Sequence, residues 1–339
     1  MTDIGLVGWG TSFPPHTRTY KELAELTSIP PDVIRDKFGI TKIYVPGPRD
    51  QVSQLAADAG RAALDMAGLD PADVNLIIYH GSEYKDFIVW SAAIKIQGLL
   101  GASNAYAFEV YALCAGAGVA LNVAQGMMLS DPRLVHVLLV TASREGDLVD
   151  YSNERTRFMI NFSAGGGALL LKRDHPTHRL IGTAVLTDPS LSETVVMPAG
   201  GVRHPTTAET VAAGQHRLDV TDLDAMRDRL GEVSLPNFVT AIRQAVERGG
   251  YALSDIGFLG VTHMKRSFHD ALLAALDLDQ EQTVYLSDYG HIQSVDQAIA
   301  LEEGVRQGKI KPGDLVVLAG AGTGYTWSAA AFKWGAANA

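Results

Sequence analysis

Cysteine occurs once in the 339 residues, at Cys114, which excludes an internal disulfide framework and any Cys-rich zinc site and suits a reducing compartment. Cations are in the minority. Lys plus Arg number 28 against 38 Asp plus Glu, a formal charge of −10 whose field repels polyphosphate backbones, so nucleic acid is not an expected partner. The opening Met1-Thr-Asp-Ile-Gly-Leu-Val-Gly has an early acid and no basic segment, unlike a secretory signal. The most apolar long stretch, Leu315 to Phe332, is interrupted by three glycines and several hydroxyls and makes a poor membrane span. No low-complexity tract or charge run is present. These absences predict a cytoplasmic protein with no membrane partner. What remains is 47% apolar and 19% charged, long enough for two ordinary domains or one large two-layer core.

The chain repeats itself. Ser53 is positioned to cap a helix carrying Leu55, Ala59, Ala62 and Met66 on one face, closed by Gly68 and followed by Asp70-Pro-Ala-Asp73 and an apolar strand, Val74 to Tyr79. In the second half Ser234-Leu-Pro236 opens a helix with Phe238, Ile242, Ala245 and Val246 on one side, closed by Gly249-Gly250 and followed by Ser254-Asp255 and the strand Ile256 to Thr262. A second pair follows in the same order. Cys114 precedes a small-residue helix ending near Met128, then Asp131-Pro132 and the strand Leu134 to Val140. Ser294 opens a helix through Val305, then Lys311-Pro312 and the strand Leu315 to Leu318. Apolar strands alternating with such helices predict an α/β fold with sheets covered on both faces. The halves are 1–175, carrying the cysteine, and 176–339, carrying two histidines at element ends, with Pro198 to Gly214 as an excursion between them. Thr221-Asp-Leu-Asp224 reads as a capping box for an extra helix through Leu230, a lid or a wall.

The glycine-rich segments are not phosphate loops. Gly320-Ala-Gly322-Thr-Gly324 lacks the G-x-G-x-x-G spacing and leads into a further strand, and no G-K-[ST] occurs, which disfavours a dinucleotide or nucleotide site. Chemistry is better sought at Cys114, at a strand-to-helix junction, where a helix N-terminus favours a thiolate and offers backbone N–H groups to an oxyanion. A thiol nucleophile needs a partner. His263 ends the strand Ile256 to Thr262, and His291 precedes the helix that pairs with the cysteine helix, so a pseudo-twofold relation brings both toward Cys114. The same symmetry sets Gly81-Ser82-Glu83 opposite His263 and makes Glu83 a candidate acid/base. Lys37, Lys265 and Arg266 are candidate phosphate contacts.

Several segments together resemble the thiolase-fold condensing enzymes, and most closely their ketoacyl-ACP synthase III branch. They are Phe38-Gly-Ile40-Thr-Lys, Leu55-Ala-Ala-Asp-Ala with its following strand, Ala107-Phe-Glu-Val-Tyr-Ala-Leu-Cys114-Ala-Gly116, and the closing run from Tyr289-Gly290-His291 to Trp327. The resemblance implies a five-layer α-β-α-β-α fold of two similar halves, a homodimer, and no metal or redox cofactor. It also implies acyl-CoA or acyl-carrier protein as substrate or partner. Cys114 would be the acylated nucleophile, His263 the first histidine, and the N–H groups of Cys114 and Thr323 the oxyanion hole. Two departures stand out. His291 occupies the position of the family's asparagine and no His-x-x-Asn follows His263, while Gly81-Ser82-Glu83 is similar to the acid/base segment of hydroxymethylglutaryl-CoA synthase. Three activities are therefore carried forward: Claisen-type condensation of acyl thioesters; acyl transfer to an oxygen or nitrogen acceptor, or addition to a ketone with Glu83; and a non-catalytic partner subunit.

Overall fold

The computed structural model describes residues 2–335. Its main strands are β1 (Ile4–Ser12), β2 (Leu76–Tyr79), β3 (Tyr106–Glu109), β4 (His136–Ser143), β5 (Gly165–Arg173), β6 (Arg179–Thr187), β7 (Ile256–Val261), β8 (Leu315–Gly322) and β9 (Thr326–Lys333). They are hydrogen-bonded in the order β7-β8-β9-β6-β1-β5-β4-β2-β3. Only Gly5 and Arg179 are paired between β1 and β6, so the sheet divides there into two leaves. Each leaf is built alike. In the first, β3, β2 and β4 are parallel and β5 and β1 follow antiparallel. In the second, β7 and β8 are parallel and β9 and β6 follow antiparallel, while a parallel bridge from Leu259 to Thr283 takes the outer position.

The main helices supply the other layers. Helix α1 (Val52–Ala67) covers the outer face of the first leaf and α3 (Leu223–Arg248) that of the second, while α2 (Gly116–Ser130) and α4 (Asp296–Arg306) lie between the leaves and touch both. Parallel strands need both faces covered, which is why β2 and β4 are almost uninterrupted apolar runs rather than alternating ones. The segment Leu113–Ser130 is long and apolar enough by composition to cross a membrane, yet half of it is buried between the leaves.

Local expectations were revised by packing in four places. The cap of α1 is Gln51, and Ser53 lies buried within the first turn, donating to Asp86 Oδ2 at 2.5 Å; Met66 is exposed, because the buried face runs through Leu55, Ala56, Ala59 and Ala63. The two helices expected around Thr221–Leu230 and after Ser234 are one, capped by Asp222 and continuous through Pro236. Proline there removes one bond, to the Glu232 carbonyl, and burial of Met226 on one side and Phe238, Ile242 and Val246 on the other keeps the helix continuous. Ser294 does not cap α4; its hydroxyl donates to the His80 carbonyl, and the helix begins at Asp296. Finally, the Pro198–Gly214 excursion follows β6 and so lies within the second leaf's chain rather than between the halves; its ends are closed by a two-residue pairing of Val195–Val196 with Asp219–Val220.

The small residues of α2 set how close the leaves come. A Cβ on Gly118 would stand 2.4 Å from Ser328 Oγ on β9, whereas one on Gly126, on the exposed side of the same helix, meets nothing within 4 Å. Gly118→Val is therefore expected to destabilise the fold by about 1–3 kcal/mol through overpacking. Gly126→Ala is expected to stabilise it by about 0.5–1 kcal/mol through helix propensity. Urea unfolding midpoints measure both, and equal shifts would contradict the packing described.

Candidate active site

Cys114 lies in a single tight turn, Leu113–Ala115, between β3 and α2. Leu113 just before it has φ +49°, a left-handed conformation costing a non-glycine residue roughly 1–2 kcal/mol. The turn is held on every side. Gln297 Nε2 donates to the carbonyls of Cys114 and Ala319, and Ser328 Oγ donates to that of Ala115. The β8 end lies against the Cys114 amide: a Cβ on Gly322 would come within 2.9 Å of the Cys114 nitrogen. Thr323, next in the chain, lines the same cavity as Cys114.

His291 reaches the sulfur. Its Nε2 is 3.0 Å from Cys114 Sγ and its Nδ1 is 2.6 Å from Asp296 Oδ2. The turn that presents it depends on Gly290, whose φ of +68° and closeness to the Asn161 carbonyl, 2.5 Å from a would-be Cβ, leave no space for a side chain. Asp296 is wholly buried and accepts three hydrogen bonds, from His291 Nδ1, from the His263 backbone N–H at 2.8 Å and from the Ile292 N–H at 2.7 Å. Burial opposes charge on His291, but the Cys114 sulfur and the Asp296 carboxylate outweigh it and hold the imidazole pKa well above its ordinary value. Neither Asp296 nor Gln297 was among the sequence candidates. The signal available was their place in the first turn of the helix after His291, where a carboxylate is stabilised by free N–H groups.

His263 is close by but turned elsewhere. Its Nδ1 is 3.0 Å from Asn161 Nδ2 and its Nε2 is 3.2 Å from the Gly39 carbonyl oxygen. Burial lowers its pKa to about 4, so it is neutral at pH 7. Cys114, His263, His291, Asn161 and Thr323 line one cavity of about 370 Å³, walled largely by Phe38, Phe158, Phe162, Phe238 and Phe268. Leu230, Gly231 and Ser234 of α3 also line it, so the expected extra helix is a wall of this cavity.

The remaining candidates separate. Lys265 lines the cavity, its Nζ 5.4 Å from the Phe38 ring. Lys37 is exposed and does not line it, and Arg266 is stacked 3.6 Å over the Tyr285 ring. Glu83 is a correction. It is exposed, on the rim of a different depression with Tyr84 and Met197, and the buried carboxyl of that region is Glu145, held by Ser82 and Ser143. Symmetry of the backbone set Glu83 at the equivalent of a strand end, but its side chain points to solvent.

Three other buried histidines allow a test of the electrostatics. Burial lowers His80 to about 3 and both His263 and His269 to about 4, from an ordinary 6.5. A depressed folded pKa contributes stability that is complete above pH 6.5 and is lost as the pH falls toward 4. Each histidine therefore adds up to about 1.4 kcal/mol per pH unit to the slope in that window. Replacing His269, which is outside the cavity lining, by Gln should flatten unfolding free energy between pH 6.5 and 4; an unchanged slope would mean that His269 is not held neutral.

The comparisons with known proteins agree with this architecture. The profile of 3-oxoacyl-(acyl-carrier-protein) synthase III matches residues 108–189, and that of the same family's C-terminal region matches residues 246–334. The beta-ketoacyl-(acyl-carrier-protein) synthase III of Synechocystis sp. is 30% identical over 333 residues, covering 98% of each chain. Among solved structures, the 3-oxoacyl-(acyl-carrier-protein) synthase III of Aquifex aeolicus superposes with a TM-score of 0.83 at 23% identity, over 98% of this chain and 100% of that one. The corresponding protein of Pseudomonas aeruginosa gives 0.84 at 22%, over 98% of each. The fold is the thiolase fold.

Proposed function

The chain belongs to the 3-oxoacyl-(acyl-carrier-protein) synthase III family, and from that premise we propose how its own residues run the reaction. It is a transferase that condenses acyl thioesters through an acyl-cysteine. The observation that carries our assignment is the Cys114–His291–Asp296 relay, with contacts of 3.0 and 2.6 Å. In the first half-reaction the Cys114 proton already rests on His291 Nε2, and Sγ, as the thiolate of that ion pair, attacks the thioester carbonyl of an acyl-CoA or acyl-carrier protein. Asp296 stabilises the imidazolium so formed. The N–H groups of Cys114 and Thr323 receive the oxyanion, and its collapse expels the carrier thiol, which recovers the proton from His291. In the second, another thioester becomes an enolate by losing CO₂ from a β-carboxylate or by giving an α-proton to His291. Its α-carbon attacks the acyl carbonyl, and as the carbon–carbon bond forms the carbon–sulfur bond breaks. Sγ leaves as a thiolate, paired with the His291 imidazolium or, after loss of CO₂, with a proton taken from water. We further propose halves at 1–175 and 176–339, a cytoplasmic homodimer, acyl thioesters as the sole requirement without metal or redox cofactor, and Lys265 as the phosphate contact nearest the cavity.

A second reading is favoured by one observation. An asparagine could only donate to the second thioester's carbonyl, whereas His291 backed by Asp296 is a base, able to take a proton from a hydroxyl or amine that attacks acyl-Cys114. Oxygen or nitrogen would then form the new bond to the acyl carbon as the carbon–sulfur bond breaks, and the proton would return to Sγ. Acyl transfer of this kind needs no carbanion.

Intact-protein mass spectrometry after incubation with a panel of acyl-CoAs and acyl-carrier proteins is expected to show a gain of one acyl group, absent in Cys114→Ala. No adduct from any donor would overturn the assignment in favour of a silent partner subunit. Asp296→Asn is expected to slow acylation by roughly 10²–10⁴-fold, the ordinary contribution of a positioned acid–base group, and Glu83→Gln to leave it within about twofold, as for an exposed side chain outside the cavity. Discharge of the acyl-enzyme by malonyl thioester with loss of CO₂ supports condensation. Discharge by a primary alcohol or amine alone supports the second reading.

A further inference from the structure

His263 is fixed by two neighbours that demand opposite things of its ring. Gly39 presents a carbonyl oxygen to Nε2 at 3.2 Å, and a carbonyl can only accept. Nε2 must therefore carry the proton, which leaves Nδ1 a lone pair. The atom facing that lone pair at 3.0 Å is Asn161 Nδ2, a donor. The amide can have only this orientation, because the reverse would set two acceptors against the ring at once. One consequence is visible: Asn161 Oδ1 is buried and has no hydrogen-bond partner among the described residues. An unpaired buried acceptor costs about 1–3 kcal/mol, and it is accepted here at a residue whose backbone carbonyl also receives the His291 N–H at 2.7 Å.

The Gly39 side is equally constrained. Gly39 has φ +73°, and a Cβ there would lie 1.9 Å from the Tyr285 hydroxyl, which donates to the Met264 carbonyl at 2.7 Å and lies 3.2 Å from that of Phe38. The charged and titratable groups about the ring are Asp296 and His291 on one side and Arg266, Tyr285 and His269 on the other. None of them is within hydrogen-bond distance of either ring nitrogen. The residue three places after His263 is Arg266, stacked on Tyr285, so it cannot serve the imidazole.

We propose that Asn161 is a positioning residue that locks His263 as its neutral Nε2–H tautomer, making His263 a hydrogen-bond donor to the second substrate and leaving His291 as the base. The donor rests on Gly39, and a carbonyl oxygen entering the cavity beside Cys114 competes with that glycine for the same proton. No proton is transferred in this step; one hydrogen bond replaces another. The two histidines thus have separate roles, imposed by an amide on one and a carboxylate on the other.

The role in turnover rests on acylation of Cys114, while the tautomer does not, so the two are tested apart. Nitrogen-15 NMR of the native protein, with the His263 resonances identified by their loss in His263→Gln, is expected to show a proton on Nε2 and none on Nδ1 at pH 7. Asn161→Asp offers a carboxylate instead of an N–H and is expected to add a proton at Nδ1 while Gly39 keeps the one on Nε2, so that both nitrogens carry a proton. Asn161→Leu removes the donor without replacing it, so that nothing holds the proton off Nδ1, and thermal unfolding is followed for both variants. In single-turnover measurements the ratio of acyl-enzyme discharge to Cys114 acylation should fall in Asn161→Leu, by up to about 10²-fold, the usual effect of losing one such donor, and fall less in Asn161→Asp, which keeps the Nε2–H. A native His263 protonated on Nδ1, or a ratio unchanged in Asn161→Leu, would overturn the proposal. Failure of Cys114 to acylate in the native protein would instead overturn the functional reading and leave the tautomer result standing.

Discussion

Everything at the site depends on one buried carboxylate. Asp296 has no exposed surface and would be strongly disfavoured there without partners, so the structure surrounds it with three donors drawn from two segments of chain. One is the backbone of His263 at the end of β7, and two come from the turn that carries His291. The carboxylate itself opens α4, whose first-turn N–H groups favour negative charge. Satisfying a single oxygen pair therefore fixes the strand end, the turn and the helix relative to one another, and through His291 it fixes the reach to Cys114.

The two histidines show how surroundings decide function more than residue type does. His291 and His263 are both buried, which disfavours charge on each, but His291 lies between a sulfur and a carboxylate that reverse the effect. His263 sees only an amide and a carbonyl on its nitrogens and stays neutral. Pairs whose environments push their pKa values apart divide the acid, base and donor roles between them. The aromatic cavity wall adds to this separation by keeping the medium around the polar groups poorly solvating, which strengthens each remaining interaction.

Much of the fold was legible because it is written in short-range signals. Apolar runs bounded by Pro, Gly and Asp identified β2, β4, β7 and β8 within a few residues, and Gly68 closed α1 as a left-handed cap. Helix starts were less legible. Ser53 and Ser294 are good capping types, yet each was drawn into a bond with a residue distant in sequence, Asp86 in one case and the His80 carbonyl in the other. Pro236 looked like a first-turn proline and is an interior one, since tertiary burial on both sides outweighs the one missing bond. Glu83 was misread for the complementary reason: backbone symmetry predicts where a strand ends but not which way a loop side chain turns.

By itself the amino-acid sequence determined the class of fold and the repeated order of elements and marked Cys114 as the candidate nucleophile, because these follow from local periodicity, turn chemistry and a single thiol at a helix start. It also narrowed the partners of that thiol to two histidines. The tertiary structure decided which histidine touches the sulfur, that Asp296 stands behind it, and that Asn161 stands behind the other. Those pairings join residues up to 177 positions apart, as in the contact of His291 with Cys114, and no local preference encodes them. They come from how closely the glycines of α2, β8 and the His291 turn let separate layers approach, a property of packed volume that exists only once the chain is folded.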